Sequence, residues 1–296
     1  MSGPVVIGYD GGPSGADALA FGLRYASLAG AVPIVAVVYP SPAPIGPGRV
    51  DAEWVAERRA EASICLARAR ELVGPDHPTV EYRAVASSSA AHGLSDLGES
   101  EHAGLIVVGS AGSGGGPRVV AGSTASRLLH GAAAPVAVAP LGMRDRAWHD
   151  PPTIGVAYVA TPEAESALHA AAGFAAAAGA VLRVHTVVAG RAPVVPWLIG
   201  VDADQAFSAT AREEFGRAAD QALARLPTDL DATSVVLVGD VADALAALDV
   251  DVLFCGSRGY GPLRSVLLGG VSSRLMRRSR SPLVVVPRGW VTATTG

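Results

Sequence analysis

The chain repeats itself. Pro13, Ala18, Leu19, Ala29-Gly30-Ala31-Val32, Val35 and Val38 recur 149 residues later as Pro162, Ala167, Leu168, Ala178-Gly179-Ala180-Val181, Val184 and Val187. Further along the offset is 147: Gly109, Gly112, Gly122, Ser126, Arg127, Pro135 and Pro140 return as Gly256, Gly259, Gly269, Ser273, Arg274, Pro282 and Pro287. Glycines, prolines and apolar residues kept in one register over such a distance mean that one folding unit is written twice. Whatever architecture suits the first copy must therefore suit the second. We place the copies at 1–144 and 151–292, joined by the polar, proline-ended stretch 144–152 and followed by a frayed tail at 292–296.

Each copy reads as β-α-β-α-β-α-β-α-β. Strands are expected at roughly 4–9, 33–39, 80–86, 105–109 and 135–139, then 153–159, 181–188, 233–238, 251–255 and 283–286. Helices are expected at roughly 14–30, 51–73, 90–102 and 122–131, then 163–178, 203–226, 241–248 and 270–279. Continuous Val/Ile runs alternating with helices describe parallel strands covered on both faces. The fold class is α/β: two tandem Rossmann-like domains, each a five-stranded parallel sheet with helices on both faces. The fifth strand of each copy is apolar and flanked by prolines, which suits an edge that pairs with another module.

The glycines have a chemistry. Gly109-Ser110-Ala111-Gly112 follows the apolar run Leu105-Ile106-Val107-Val108, and Gly122-Ser123-Thr124 opens the next helix. The second copy has Gly256 and Gly259 after Val252-Leu253-Phe254-Cys255, then Gly269-Gly270-Val271. A strand, a glycine loop and a helix N-terminus make an anion site, because backbone N–H groups can approach a phosphate and the helix dipole favours negative charge. Gly114-Gly115-Gly116 mark the stretch 113–121 as one that closes around a ligand. Asp10, ending the first strand, faces the same crevice. It reads either as a contact to base, ribose or metal or as a turn residue before the helix.

Composition narrows the choices. All 23 basic residues are arginine. Without lysine there is no Walker A loop, no kinase strand lysine and no Schiff base. A net charge of −4 gives no basic field for nucleic acid. The seven histidines show no metal-ligand spacing. Arg274, Arg277, Arg278 and Arg280 read as partners of a helix C-terminus. Cys65 and Cys255 read as core residues in a reducing compartment. The chain opens directly into a strand, and its alanine-rich stretch 170–182 is too short to span a bilayer, so a cytoplasmic, non-membrane protein is expected. Trp54 and Trp197 fall in the connection after the second strand of each copy and suit either a crevice cover or an interface.

The spacing G-x2-G-x9-G-S at Gly109, Gly112, Gly122 and Ser123, after a first strand ending at Asp10, resembles the ATP-binding signature of the universal stress protein family. The resemblance covers nearly the whole chain as two modules. It implies an adenine-nucleotide-hydrolase-like fold, an ATP ligand with or without Mg2+, and no dedicated reaction; the two copies are expected to pack together as an internal pseudo-dimer, and two chains to associate further as a homodimer. Carried onto this chain, Asp10 and Val38 would frame adenine and ribose. Val108, Gly109 and Gly112 would line ribose and phosphates, and Gly122, Ser123, Thr124 and Ser126 would hold the phosphates. Gly256, Gly259 and Gly269 are the second copy's counterparts. Gly104 departs from the family's usual acid before strand four.

The second copy departs more seriously: Val159 stands for Asp10 and Gly270 for Ser123. Losing one charge-assisted and one neutral hydrogen bond costs on the order of 2–4 kcal/mol, roughly 30- to 1000-fold in affinity. The expectation is an ATP-binding regulatory protein whose first copy is the main site and which contacts an unidentified protein partner. The alternatives are an enzyme with slow ATP hydrolysis or nucleotidyl transfer, and an interaction protein with two vestigial sites.

Overall fold

A computed structural model describes residues 3–41, 52–75, 77, 79–111, 119–189, 201–257 and 274–290, without the side chains of 52 and 201–208. In the first copy the apolar runs become β1 (Val5–Gly8), β2 (Pro33–Pro40), β3 (Glu81–Ser87), β4 (Leu105–Gly109) and β5 (Val136–Ala139). Between them lie α1 (Pro13–Ala29), α2 (Ala52–Val73), α3 (Ala90–Ser100) and α4 (Ser123–Gly131). The second copy supplies β6 (Thr153–Ala157), β7 (Val181–Ala189), β8 (Ala232–Gly239), β9 (Val252–Gly256) and β10 (Leu283–Val286), with α5 (Pro162–Ala178), α6 (Val201–Leu223) and α7 (Val241–Ala246). Of the helix expected at 270–279, residues 274–276 are helical and 270–273 lie outside the described residues.

The strands form one sheet in the order β3-β2-β1-β4-β5-β10-β9-β6-β7-β8. Within each half all pairs are parallel, and the order reverses beside the first strand, which opens a crevice at the strands' C-terminal ends. The halves meet where β5 and β10 pair antiparallel. Ala137 pairs with Val284, its own counterpart at the 147-residue offset. An approximate two-fold axis therefore passes through that pair, as the expected internal pseudo-dimer requires. On one face of the sheet the axis also relates Tyr25 of α1 to Phe174 of α5. These counterparts at the 149-residue offset stack with ring centroids 3.9 Å apart and planes 4° from parallel.

The strand period of two splits the core into two layers. Val5, Ile7, Val35 and Val107 pack under α1 and α2, continuous with Ile154, Val156 and Val184 under α5 and α6. Val6, Ile34, Ile106 and Val108 face α3 and α4, continuous with Leu253, Cys255 and Val285 beneath α7 and residues 274–276. Both layers run unbroken across the two-fold.

Matching local signals end the paired helices. Pro13 and Pro162 open α1 and α5, and Gly30 and Gly179, at φ 62° and 59°, close them in left-handed conformation. The turn after β5 is tied down by Asp17, a fully buried acid of α1 that accepts from the N–H groups of Gly142 (2.9 Å) and Arg144 (3.1 Å) and pairs with the Arg144 guanidinium. In the second copy the Ser166 hydroxyl accepts from Gly289 N–H in the same place. The linker is fixed as firmly. Arg146 donates to the carbonyls of Val250 and Arg280, and the buried carboxylate of Asp251 accepts from the His149 and Thr153 N–H groups. Asp251 is the acid before strand four that the first copy replaces with Gly104.

Candidate functional site

A cleft of about 820 Å³ opens at the C-terminal ends of β1, β2 and β4. Asp10, Val38, Val108, Gly109, Gly122, Ser123 and Thr124 all line it. Ser126 sits a turn further into α4, outside the cleft wall, with its N–H bonded to the Gly122 carbonyl. Gly112, Gly259, Gly269 and the stretch 113–118 lie outside the described residues, as do Gly270 and Trp197. Gly256 ends β9 as Gly109 ends β4.

Two helix N-termini open on this cleft, and no side chain caps either. Gly12 precedes α1 and Gly122 precedes α4, both with extended backbone and neither followed by an acid in the first turn. The N–H groups of Ser123, Thr124 and Ala125 have no acceptor within the helix, and all three residues line the cleft. The stretch leading to α4 is pinned at its stem. Ser110 is fully buried and exchanges hydrogen bonds with Val120, and Ala111 N–H donates to the Val120 carbonyl (2.8 Å). Val119 N–H donates across the two-fold to the Ser279 carbonyl at 2.9 Å.

Asp10 is exposed, and its Oδ1 accepts from Gly12 N–H at 2.9 Å. It makes a short turn rather than capping α1, and it still borders the cleft. Gly15 must be glycine beside it, since a Cβ there would meet the Asp10 carboxylate and lie 2.9 Å from its backbone nitrogen. Gly109 has a packing reason too. A Cβ would collide with the Ser14 carbonyl and hydroxyl, the hydroxyl being bonded to the Ser110 carbonyl at 2.7 Å. Gly256 repeats this close approach against the backbone of Glu163.

Sequence reasoning missed the wall that α2 contributes. Arg58, Glu61, Ala62, Cys65 and Arg68 lie at helical spacing along it and face the cleft. Cys65, expected in the core, lies at its edge, packed against the core on one side and lining the cleft on the other. It is half-buried against Gly11, and burial, with Asp10 adding to it, raises its thiol pKa. Arg58 pairs with Glu61 at 2.7 Å and leaves its Nε buried without a partner. Burial likewise raises the Tyr9 hydroxyl pKa. Trp54, on the same helix, stays 40% exposed and outside the wall.

The equivalent positions of the second copy differ in kind. Thr161 replaces Gly12, and its hydroxyl accepts from Ala164 N–H, so α5 caps itself. Glu163 stands for Ser14, a cleft residue of the first copy, and Val159 for Asp10. Glu165 accepts from the Tyr158 hydroxyl at 2.6 Å, and burial with that bond pushes the Tyr158 pKa far up. Two of the four arginines expected at a helix C-terminus reach to α7 and its cap. Arg274 pairs with Asp240, and Arg278 with Asp243. Asp240 caps α7, and the Asp243 N–H bond, then Arg274, lowers its pKa. Among the described residues no three His, Cys, Asp or Glu side chains gather as a metal site.

The universal stress protein family profile matches residues 1–140 and again 152–287. This chain is a member of the universal stress protein family. Its relatives include universal stress proteins of Mycobacterium tuberculosis and Mycobacterium bovis, each 30% identical over 294 residues, covering 96% of this chain and 99% of theirs. A universal stress protein crystal structure from Archaeoglobus fulgidus superposes with a TM-score of 0.67 at 19% identity, over 98% of this chain and 100% of that one. A putative universal stress protein from Pseudomonas aeruginosa gives 0.60 at 18%, over 96% and 93%. These structures share the fold. Among the described residues no helix is long and apolar enough to cross a membrane.

Proposed function

We propose that this protein is an adenine-nucleotide-binding regulatory member of its family, with ATP held in the first copy. The observation that carries this is the contrast between the copies. The first copy's cleft has two helix N-termini without side-chain caps or first-turn acids. At the second copy's matching helix a threonine takes a free N–H, and Glu163 and Glu165 bring negative charge into the first turn. A triphosphate is favoured by the first arrangement and disfavoured by the second, where the N-terminus is already served by Thr161, Glu163 (paired with Arg288) and Glu165 (paired with Arg225). The nucleotide would lie with its phosphates on α4 and its base toward Val38 and α2.

Binding, not turnover, is the proposed activity. The cleft's two acids are already engaged, Asp10 with Gly12 N–H and Glu61 with Arg58, so neither is poised to activate water. ATP binding would change the surface around the cleft that a protein partner reads. The strand pairing that joins the halves is satisfied inside one chain, so this reading needs no second chain.

Isothermal titration with ATP, with and without Mg2+, should give one equivalent per chain. The Gly122→Ala/Ser123→Ala and Asp10→Ala variants should bind about 10- to 100-fold more weakly. Two equal sites per chain, or no binding of ATP, ADP, AMP or cyclic AMP, would overturn the proposal.

A further inference from the structure

One row of residues floors the first copy's cleft. Ala36 of β2 pairs with Gly8 of β1, and Val108 of β4 lies against Gly8 from the other side, 3.4 Å from where a Cβ would stand. All three line the cleft. The row is small at its centre because Leu94 of α3 packs down on it, 2.8 Å from that same Cβ position.

The second copy builds the same row from other residues. Ala157 of β6 pairs with His185 of β7 on one side and Cys255 of β9 on the other. His185 stands at the counterpart of Ala36, so an imidazole replaces a methyl group. Strand alternation puts it on the α7 side of the sheet, since Val184 belongs to the opposite layer and Val187 to this one. His185 is only 5% exposed, and neither ring nitrogen has a hydrogen-bond partner. An imidazole buried without partners costs free energy that hydrogen bonding does not return.

We propose that His185 closes the second copy to a nucleobase, and that this block outweighs the loss of the Asp10 and Ser123 counterparts. The inference rests on the reading of the first copy as the nucleotide site. Its logic is one of kind. Missing hydrogen bonds weaken a ligand by a finite factor and leave a second, poorer site to be seen at high concentration. A side chain in the floor removes the space, and protein interiors yield little to an extra ring. Burial drives the His185 pKa down to about 4, so at neutral pH the ring bars by volume rather than charge.

The test is titration of ATP into four full-length proteins, each checked by circular dichroism and thermal melting. Ala36→His should abolish binding at the first copy while the fold persists. In the second copy, Val159→Asp/Thr161→Gly/Glu163→Ser installs first-copy residues around the cleft and should leave the stoichiometry at one. Adding His185→Ala to that background should raise it to two. All four replacement residues occupy the equivalent places in the first copy, so this arm decides the matter even if Ala36→His unfolds. A second equivalent in the triple variant, one equivalent still in the quadruple variant, or unchanged affinity in a folded Ala36→His protein overturns the proposal. A wild-type protein that binds no nucleotide overturns instead the reading of the first copy.

Discussion

Gly109→Ala is expected to destabilise the protein by about 3 kcal/mol, the upper end of what overpacking costs, without any ligand present. The methyl group would lie 2.6 Å from the Ser14 carbonyl carbon and closer still to two Ser14 oxygens. Ser14 cannot step aside alone. It sits in the first turn of α1, and its hydroxyl is bonded to the Ser110 carbonyl. Either the helix start lifts from β4 or the strand end moves, and both loosen the layer that includes Phe21 and Val107. Gly256→Ala should cost a similar amount, since its Cβ would fall 2.6 Å from the Glu163 carbonyl carbon. Urea unfolding of the apoprotein measures both. If either variant unfolds within about 0.5 kcal/mol of wild type, the range of neutral surface changes, the close-packing account is wrong.

That expectation alters what the glycine signature means. The first glycine recurs in both copies because a helix start packs onto a strand end in both. Its presence in the second copy therefore says nothing about binding there. The rest of the signature behaves differently. Among the described residues a Cβ on Gly122 would meet nothing closer than the Ala111 methyl, at 3.1 Å, so this glycine owes less to packing there and more to an N-terminus left open.

The repeat, the parallel strands and the pairing through the fifth strand could all be read from the chain, because each is set by local periodicity and turn chemistry. The α2 wall could not. Arg58, Glu61, Cys65 and Arg68 are ordinary residues on a helix, and only the sheet's order decides that this stripe faces the β1–β2 end of the cleft. Asp17 and Asp251 were invisible for a related reason: their partners lie 98 to 127 residues away along the chain. His185 carried a signal that went unused. It interrupts the apolar run of β7 at a position where the repeat offers alanine, and a polar residue inside a strand covered on both faces calls for an explanation.

His185 also makes the protein's stability depend on mild acid, in a stated direction. Burial, with Arg183 on the same strand adding to it, lowers the pKa from 6.5 to about 4. In the unfolded chain the ring takes up a proton as the pH falls through about 6.5. In the native protein it does so only near 4. Between these values the unfolded state binds more protons, so stability is intact above 6.5 and falls as the pH drops toward 4, where the effect levels off. Among the described residues the acids of α7 and its cap are already matched, Asp240 with Arg274 and Asp243 with Arg278, so α7 offers no free acid to rescue a protonated ring. Urea unfolding at pH 7 and pH 4.5 should show wild type losing about 2–3 kcal/mol more than His185→Ala over that interval. Equal losses in the two proteins would mean that the imidazole is not held neutral, and that water or a charge reaches it beneath α7. A ring that water could reach would also be a poor plug for the second copy's floor, so this pH series bears on the same residue without any nucleotide in the cuvette.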